Sequence, residues 1–145
     1  YYVRLPWGNP VEKARAERIA DGLESVQVLP PMQLAGVARI IAGSRACVAV
    51  DTGLGHLAAA LDVPGISLFG PTNAGFTGAY GAAQIHLASD FPCAPCMQKR
   101  CVYTPTPADA RAFDLHREQP LCFTRLPPER VMTQLEGLLA NERVL

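Results

Sequence analysis

Two short stretches hold residues whose types and spacing could do chemistry. The first is Asp51-Thr52-Gly53-Leu54-Gly55-His56. It offers a carboxylate, a hydroxyl and an imidazole, and glycines at 53 and 55 would let backbone N–H groups approach an anion closely. If a helix starts here, the partial positive charge at its first turn favours a diphosphate over a neutral ligand. The same residues have a plainer use. Asp and Thr ahead of a helix are ordinary N-caps, and a histidine in a first turn is commonly structural. The second stretch is Cys93-x2-Cys96-x4-Cys101, with Cys122 twenty-one residues further on. Four thiolates so arranged suit tetrahedral zinc, for which a C-x2-C pair is the usual half-site. Iron–sulfur spacings match poorly. Reduced packing thiols or a disulfide are the other readings, the latter disfavoured in a reducing compartment. His116 could replace one thiolate or stand in a solvated loop.

Lesser candidates flank these. Glu12 falls three residues after Asn9, where it could complete a helix capping box or accept hydrogen bonds from ribose hydroxyls. The run Gly70-Pro71-Thr72-Asn73-Ala74-Gly75 combines turn residues with a hydroxyl. Neither a G-x-G-x-x-G fingerprint nor a G-x-x-x-x-G-K-[ST] loop occurs, so nicotinamide enzymes and P-loop NTPases lose support.

The elements that must position these groups can be read from periodicity and punctuation. Tyr1 to Leu5 is strand-prone, and Asn9-Pro10 supplies an N-cap and a first helical residue. Ala16, Ile19, Ala20 and Leu23 follow at helical spacing, and Gly22 fits the helix end. Val26 to Leu29 predicts a short strand closed by Pro30-Pro31. Leu34, Val37, Ile40 and Ile41 predict a second helix stopped at Gly43. Ala46 to Val50 is apolar without alternation, as expected of a strand buried on both faces. A helix over Leu54 to Leu61, strands over Ile66 to Phe69 and Gln84 to Leu87, and a C-terminal helix begun by Pro127-Pro128-Glu129 complete the pattern. Strands alternating with helices across short connections predict an α/β fold: a Rossmann-like open parallel sheet with helices on both faces. Ligands then gather at the carboxyl ends of the strands, where the Asp51 loop lies.

Composition sets the outer bounds. The 145 residues are 49% apolar and 18% charged, which suits one folded domain rather than a disordered tail. Thirteen basic residues balance thirteen acidic ones, so no global charge draws the chain to nucleic acid. Seven of the thirteen prolines fall between Pro92 and Pro128, and no glycine lies between Gly81 and Gly137. The expected organisation is a core over 1–88, a Pro/Cys-rich segment over 89–126 and a helix over 127–145. Lys99, Arg100, Arg111, Arg117, Arg125 and Arg130 make the later part locally basic, which could favour anionic headgroups or simply form a solvated surface. The opening Tyr1-Tyr2-Val3, with no Met and no signal peptide, reads as the interior of a longer product.

Taken in order, Leu5-Pro6-Trp7-Gly8, Asp51-Thr52-Gly53-Leu54-Gly55-His56-Leu57, Gly70-Pro71-Thr72 and Gly78-Ala79-Tyr80-Gly81 resemble the lipopolysaccharide heptosyltransferases over about residues 4 to 88. The resemblance is greatest to the heptosyltransferase I branch, which adds the first heptose to the Kdo of the inner core. It implies the C-terminal, donor-binding half of a GT-B glycosyltransferase, with the N-terminal acceptor half lying elsewhere.

By that resemblance Glu12 holds the adenosine ribose and Met32 lines the adenine pocket. Asp51, Thr52, Gly53, Leu54 and His56 take the diphosphate and heptose of ADP-heptose. The usual Ser of that motif is replaced here by Gly55. The implied reaction is inverting transfer to Kdo-lipid A, with no cofactor required; the segment carrying Cys93, Cys96, Cys101 and Cys122, whose spacing suits zinc, departs from the heptosyltransferase I pattern. The base is expected in the other half, so this chain alone should bind ADP weakly and transfer nothing. The implied location is the cytoplasm, at the cytoplasmic face of the bacterial inner membrane. A non-catalytic nucleotide-sugar or zinc-binding module, or a transferase using another sugar nucleotide, are the alternative readings.

Overall fold

A computed structural model describes residues 1–114 and 120–141; His116 and Arg117 lie outside the described residues. The chain divides into two compact units, Tyr1–Ile40 and Ile41–Leu145.

In the first unit, β1 (Val3–Leu5) and β2 (Val26–Val28) pair in parallel, Val3 opposite Val26 and Leu5 opposite Val28. Helix α1 (Pro10–Ala20) connects them. Its start is as the sequence predicts: Asn9 is the N-cap, its side chain accepts from Glu12 N at 3.0 Å, and Pro10 takes the first helical position. Gly22, at φ +71°, adopts the left-handed conformation that ends the helix without a Cβ penalty. Beyond β1, Trp7 Nε1 donates to Leu29 O at 2.7 Å, tying together the loops that leave both strands. Helix α2 (Leu34–Ala42) spans the boundary between the units.

The second unit is built on β3 (Cys47–Val50), β4 (Gly65–Phe69) and β5 (Gln84–Ala88), all parallel and in that spatial order. Helix α3 (Gly53–Ala60) links the first two strands and the short α4 (Ala74–Thr77) lies between the last two. The central strand is the most apolar stretch and the best buried: Ile66 and Phe69 are each 1% exposed. Full burial of each side chain contributes about 1.5–3 kcal/mol.

Register shows how the two faces are used. Val48, Ile66 and Ile85 lie in one row, as do Ala49, Ser67 and His86 in the next, so the rows point to opposite faces. The first face meets α6 (Pro128–Asn141), whose Val131, Leu135 and Leu138 pack on Ile66, Leu87 and Leu126. The second face meets α3, where Gly55 lies over Ala49 and Ser67. The sheet therefore carries helices on both faces, and the α/β reading holds.

The described strands form two parallel ladders, β1-β2 in the first unit and β3-β4-β5 in the second. Two expectations need correction. Strand β3 is not buried on both faces: Val48 is 46% and Val50 43% exposed. The cause is placement, since α6 covers β4 and β5 and leaves the β3 edge of that face open. Finally, the Pro/Cys-rich segment contains regular structure that the prolines obscured. Helix α5 (Pro107–Ala112) starts at a full capping box, with Thr106 and Asp109 satisfying each other's backbone N–H, and a 3₁₀ helix covers Leu121–Arg125. Its Leu121 and Cys122 form a second core with Phe91, bordered by Tyr103 and Phe113.

Among the described residues, no helix is long and apolar enough to cross a membrane.

Candidate functional site

Strand β3 ends at Val50, so Asp51 emerges at its carboxyl edge and α3 begins two residues later. Thr52 is the N-cap by backbone geometry (φ −146°, ψ 162°), yet its side chain makes no capping hydrogen bond. Its carbonyl accepts the first helical bonds, from Gly55 N at 3.1 Å and His56 N at 3.4 Å. The N–H groups of Gly53 and Leu54 precede those bonds and are orphans of the helix start. A Cβ placed on Gly53 would meet nothing within 4 Å. An exposed hydroxyl with no capping bond and two N–H groups ahead of the first helical bonds thus lie together at the start of α3.

The two glycines of this loop do different jobs. Gly53 faces open space, as the anion reading requires. Gly55 is buried, and a Cβ there would lie 3.5 Å from Ala49 Cβ and from Ser67 Oγ. Its N–H is already used by Thr52 O. Gly55 thus serves the packing of α3 on the sheet, and the expectation that it offers a donor to an anion does not hold.

Asp51 is held firmly. Thr77 Oγ1, on α4, donates to Asp51 Oδ2 at 2.8 Å. His56 Nε2 stands 3.9 Å from Oδ1, an electrostatic neighbour too far for a hydrogen bond. The Asp51 side chain is 15% exposed and that of His56 49%. One carboxylate oxygen is therefore tied to the protein while the other faces the helix start. Thr77 was missed by sequence reasoning, since a contact across 26 residues leaves no trace in local spacing. A second hydroxyl, Thr72 Oγ1 in the loop after β4, is buried with no hydrogen-bond partner in the structure.

Glu12 and Met32 belong to the first unit. The Glu12 backbone N–H engages Asn9, and its Oε2 accepts from Gly8 N at 2.7 Å. The carboxylate thus caps one residue ahead of the N-cap, which bears out the capping reading in modified form and leaves Oε1 out of it. Met32 sits just before α2, 36% exposed, its side chain lying over Gly36.

Cys93, Cys96, Cys101 and Cys122 all line one cavity of about 250 Å³, together with Pro71 and Tyr103. Burial pushes the Cys122 thiol above its ordinary pKa, and the neighbouring Cys101, Cys93 and Cys96 add to that push. All five cysteines are free, and among the described residues no three Cys, His, Asp or Glu side chains stand at metal-holding distance. On the far wall, Tyr103 Oη donates to Asp109 Oδ2 at 2.9 Å. The Thr106 hydroxyl and N–H bond to the same carboxylate and hold Asp109 below its usual range.

Comparison with known proteins gives the family of the chain. Residues 1–106 match Glycosyltransferase family 9 (heptosyltransferase). The chain belongs to that family.

Lipopolysaccharide heptosyltransferase 1 of Pseudomonas aeruginosa is 69% identical to this family 9 chain over 143 residues, covering 99% of the chain and 40% of the relative. The Salmonella typhimurium protein of the same name is 54% identical over 87 residues, 60% of this chain and 27% of its own length. The solved structure of E. coli heptosyltransferase WaaC with ADP matches with a TM-score of 0.60 at 51% identity, covering 61% of this chain and 28% of that one. The same enzyme with ADP-2-deoxy-2-fluoro heptose gives a TM-score of 0.56 at 49% identity, over 61% and 26%. The chain therefore spans less than half the length of the curated relatives it matches.

Proposed function

We propose that this chain is the donor-binding part of an inverting heptosyltransferase that moves heptose from ADP-heptose to the Kdo of the lipopolysaccharide inner core. The observation that carries this is the start of α3. There the Thr52 hydroxyl, which makes no capping bond, and the N–H groups of Gly53 and Leu54, which precede the first helical bonds, lie next in sequence to a carboxylate fixed by Thr77. That the E. coli relative was solved with ADP and with an ADP-sugar analogue supports reading this helix start as a diphosphate site.

The roles follow from chemistry. Thr52 and the first-turn N–H groups of α3 meet the diphosphate, whose charge grows as the bond to the anomeric carbon breaks. His56, beside Asp51, adds a donor toward the same anion. Asp51, tied through Oδ2, presents Oδ1 to sugar hydroxyls and so orients the heptose. Glu12 takes the adenosine ribose through Oε1, and Met32 lines the adenine site. An acceptor hydroxyl attacks the anomeric carbon from the face opposite ADP, its proton passing to a general base. No residue of this chain is assigned as that base; the acceptor and the base belong to the remainder of the enzyme, working at the cytoplasmic face of the inner membrane.

Calorimetric titration of the chain with ADP, UDP and GDP tests the donor assignment. ADP should bind most tightly, and Asp51→Ala should weaken ADP-heptose more than ADP. Preference for UDP or GDP would overturn the nucleotide assignment. Measurable heptose transfer by the 145-residue chain alone would overturn the placement of the base.

A further inference from the structure

Helix α4 is too short to fix its own place. It has four residues, about one turn, and so small a helix persists only through outside contacts. At its start the Asn73 side chain accepts from Gly75 N at 2.8 Å. Asn73 O accepts from Thr77 N at 3.1 Å and from Thr77 Oγ1 at 3.3 Å. These bonds are internal to the turn and shape it without placing it on the sheet. At its end, Gly78 packs against the ring of His86, which projects from β5. A Cβ built on Gly78 would lie 2.6 Å from His86 Cε1 and 3.0 Å from His86 Nδ1, and would also strike Ala74 O. The residue directly before Gly78 is Thr77, whose hydroxyl fixes Asp51.

On the reading of Asp51 as the group that orients the heptose, we propose that His86 is a positioning residue of the sugar site. Its ring is the surface on which Gly78 rests, and it sets α4 at the height from which Thr77 reaches Asp51.

The surroundings of His86 suit that role. It stands opposite Ser67 in the strand register, and Phe69, two residues further along β4, shares the same face. The two rings meet edge to face, with centroids 5.4 Å apart and planes at 79°. Phe69 is 1% exposed and has no room to yield in a close-packed interior. The imidazole is thus held between Phe69 and Gly78. Its Nε2 is buried without a hydrogen-bond partner, so the ring acts on the loop through its shape and not through a bond from that atom. An unpaired buried nitrogen also costs stability that an apolar side chain of similar volume avoids. Glycine at 78 is the matching half of the contact, since only a residue without a Cβ approaches the ring so closely. Truncation at 86 leaves a gap beneath Gly78; the end of α4 settles into it and carries Thr77 away from Asp51.

The test is calorimetric titration of the chain with ADP-heptose and, separately, with ADP. His86→Ala should weaken ADP-heptose about 3- to 5-fold while changing ADP less than about 2-fold. A merely structural role would lower Tm and leave the ratio of the two affinities unchanged. His86→Leu, close to histidine in volume, should keep the wild-type ratio. In the Thr77→Val background, where the bond to Asp51 is already gone, His86→Ala should cause no further loss of ADP-heptose affinity. An unchanged ratio in His86→Ala, or losses from His86→Ala and Thr77→Val that multiply in full, would overturn the proposal. Should His86→Ala not fold, His86→Val, a smaller truncation suited to a strand, is read by the same two criteria. Asp51→Ala separates this role from the donor site itself. If Asp51→Ala weakens ADP-heptose and His86→Ala does not, only the role of His86 falls; if Asp51→Ala has no effect, both fall.

Discussion

Thr77 and Asp51 meet across 26 residues of chain, the Thr77 hydroxyl donating to Asp51 Oδ2 at 2.8 Å. The contact joins α4, on the loop after β4, to the carboxyl end of β3, and so couples the loops that follow these two strands. A carboxylate fixed at one oxygen presents the other in a set direction. Removing the hydroxyl leaves Asp51 charged but free to rotate. Thr77→Val is expected to weaken ADP-heptose binding about 2- to 10-fold, corresponding to about 0.5–1.5 kcal/mol for one hydrogen bond. Thr77→Ser should retain most of the affinity. Titration calorimetry on the three proteins measures this, and an unchanged Thr77→Val affinity would remove Asp51 orientation from the mechanism.

Gly53 and Gly55 allow function and folding to be separated within one loop. A Cβ at Gly55 makes only ordinary contacts, 3.5 Å to Ala49 and Ser67, in a helix interior where alanine is preferred. Gly55→Ala should therefore stabilise the chain by about 0.5–1 kcal/mol, visible as a rise in Tm of a few degrees, with ADP affinity unchanged. A Cβ at Gly53 meets no protein atom but would occupy the approach to the first-turn N–H groups. Gly53→Ala should keep Tm while weakening ADP about tenfold, close to 1.4 kcal/mol.

Gly70 is a steric link between the end of β4 and the cysteine-rich segment. A Cβ there would sit 2.8 Å from Cys122 Sγ and 2.9 Å from Phe123 Cζ. Both neighbours belong to packed cores, so neither can yield cheaply. Gly70→Ala is expected to cost about 1–3 kcal/mol, measured by urea denaturation.

Burial raises the Cys47 thiol above its ordinary value of 9.0. In the folded chain the proton is thus held more tightly than in the unfolded one. The stability this contributes is fully present below the unfolded pKa and is lost as pH rises through the folded one. Unfolding midpoints should decline above about pH 9. Cys47→Ala should flatten part of that decline, and iodoacetamide should label Cys47 far more slowly in the native chain than in urea.

Local chemistry made much of the fold readable. Asn9-Pro10, Gly22 and Pro127-Pro128 each act within a few residues, and the elements they delimit lie where the spacing puts them. Thr106 and Asp109 form a capping box of the same local kind; it went unread because the surrounding prolines suggested irregular chain. What sequence could not supply were properties set by neighbours. The exposure of Val48 and Val50 depends on how far α6 reaches, and the use of Gly55 depends on Ser67 lying beneath it. At the site, Asp51, Thr52 and Gly53 were legible because a strand end, a cap and a helix start are consecutive in the chain. Thr77 was not, because only tertiary structure brings it to Asp51.

Trp7 is the sole tryptophan, and its indole is fixed to Leu29 O with Lys13 Nζ 5.7 Å from its ring. It therefore works as an optical reporter planted in the unit Tyr1–Ile40 alone. Far-ultraviolet circular dichroism, by contrast, is weighted toward the other unit, which among the described residues holds α3 to α6 and three of five strands. Fluorescence and dichroism followed through one denaturation thus sample different units of the same chain. The separation between the two curves gives the cooperativity between them directly, with no label and no mutation.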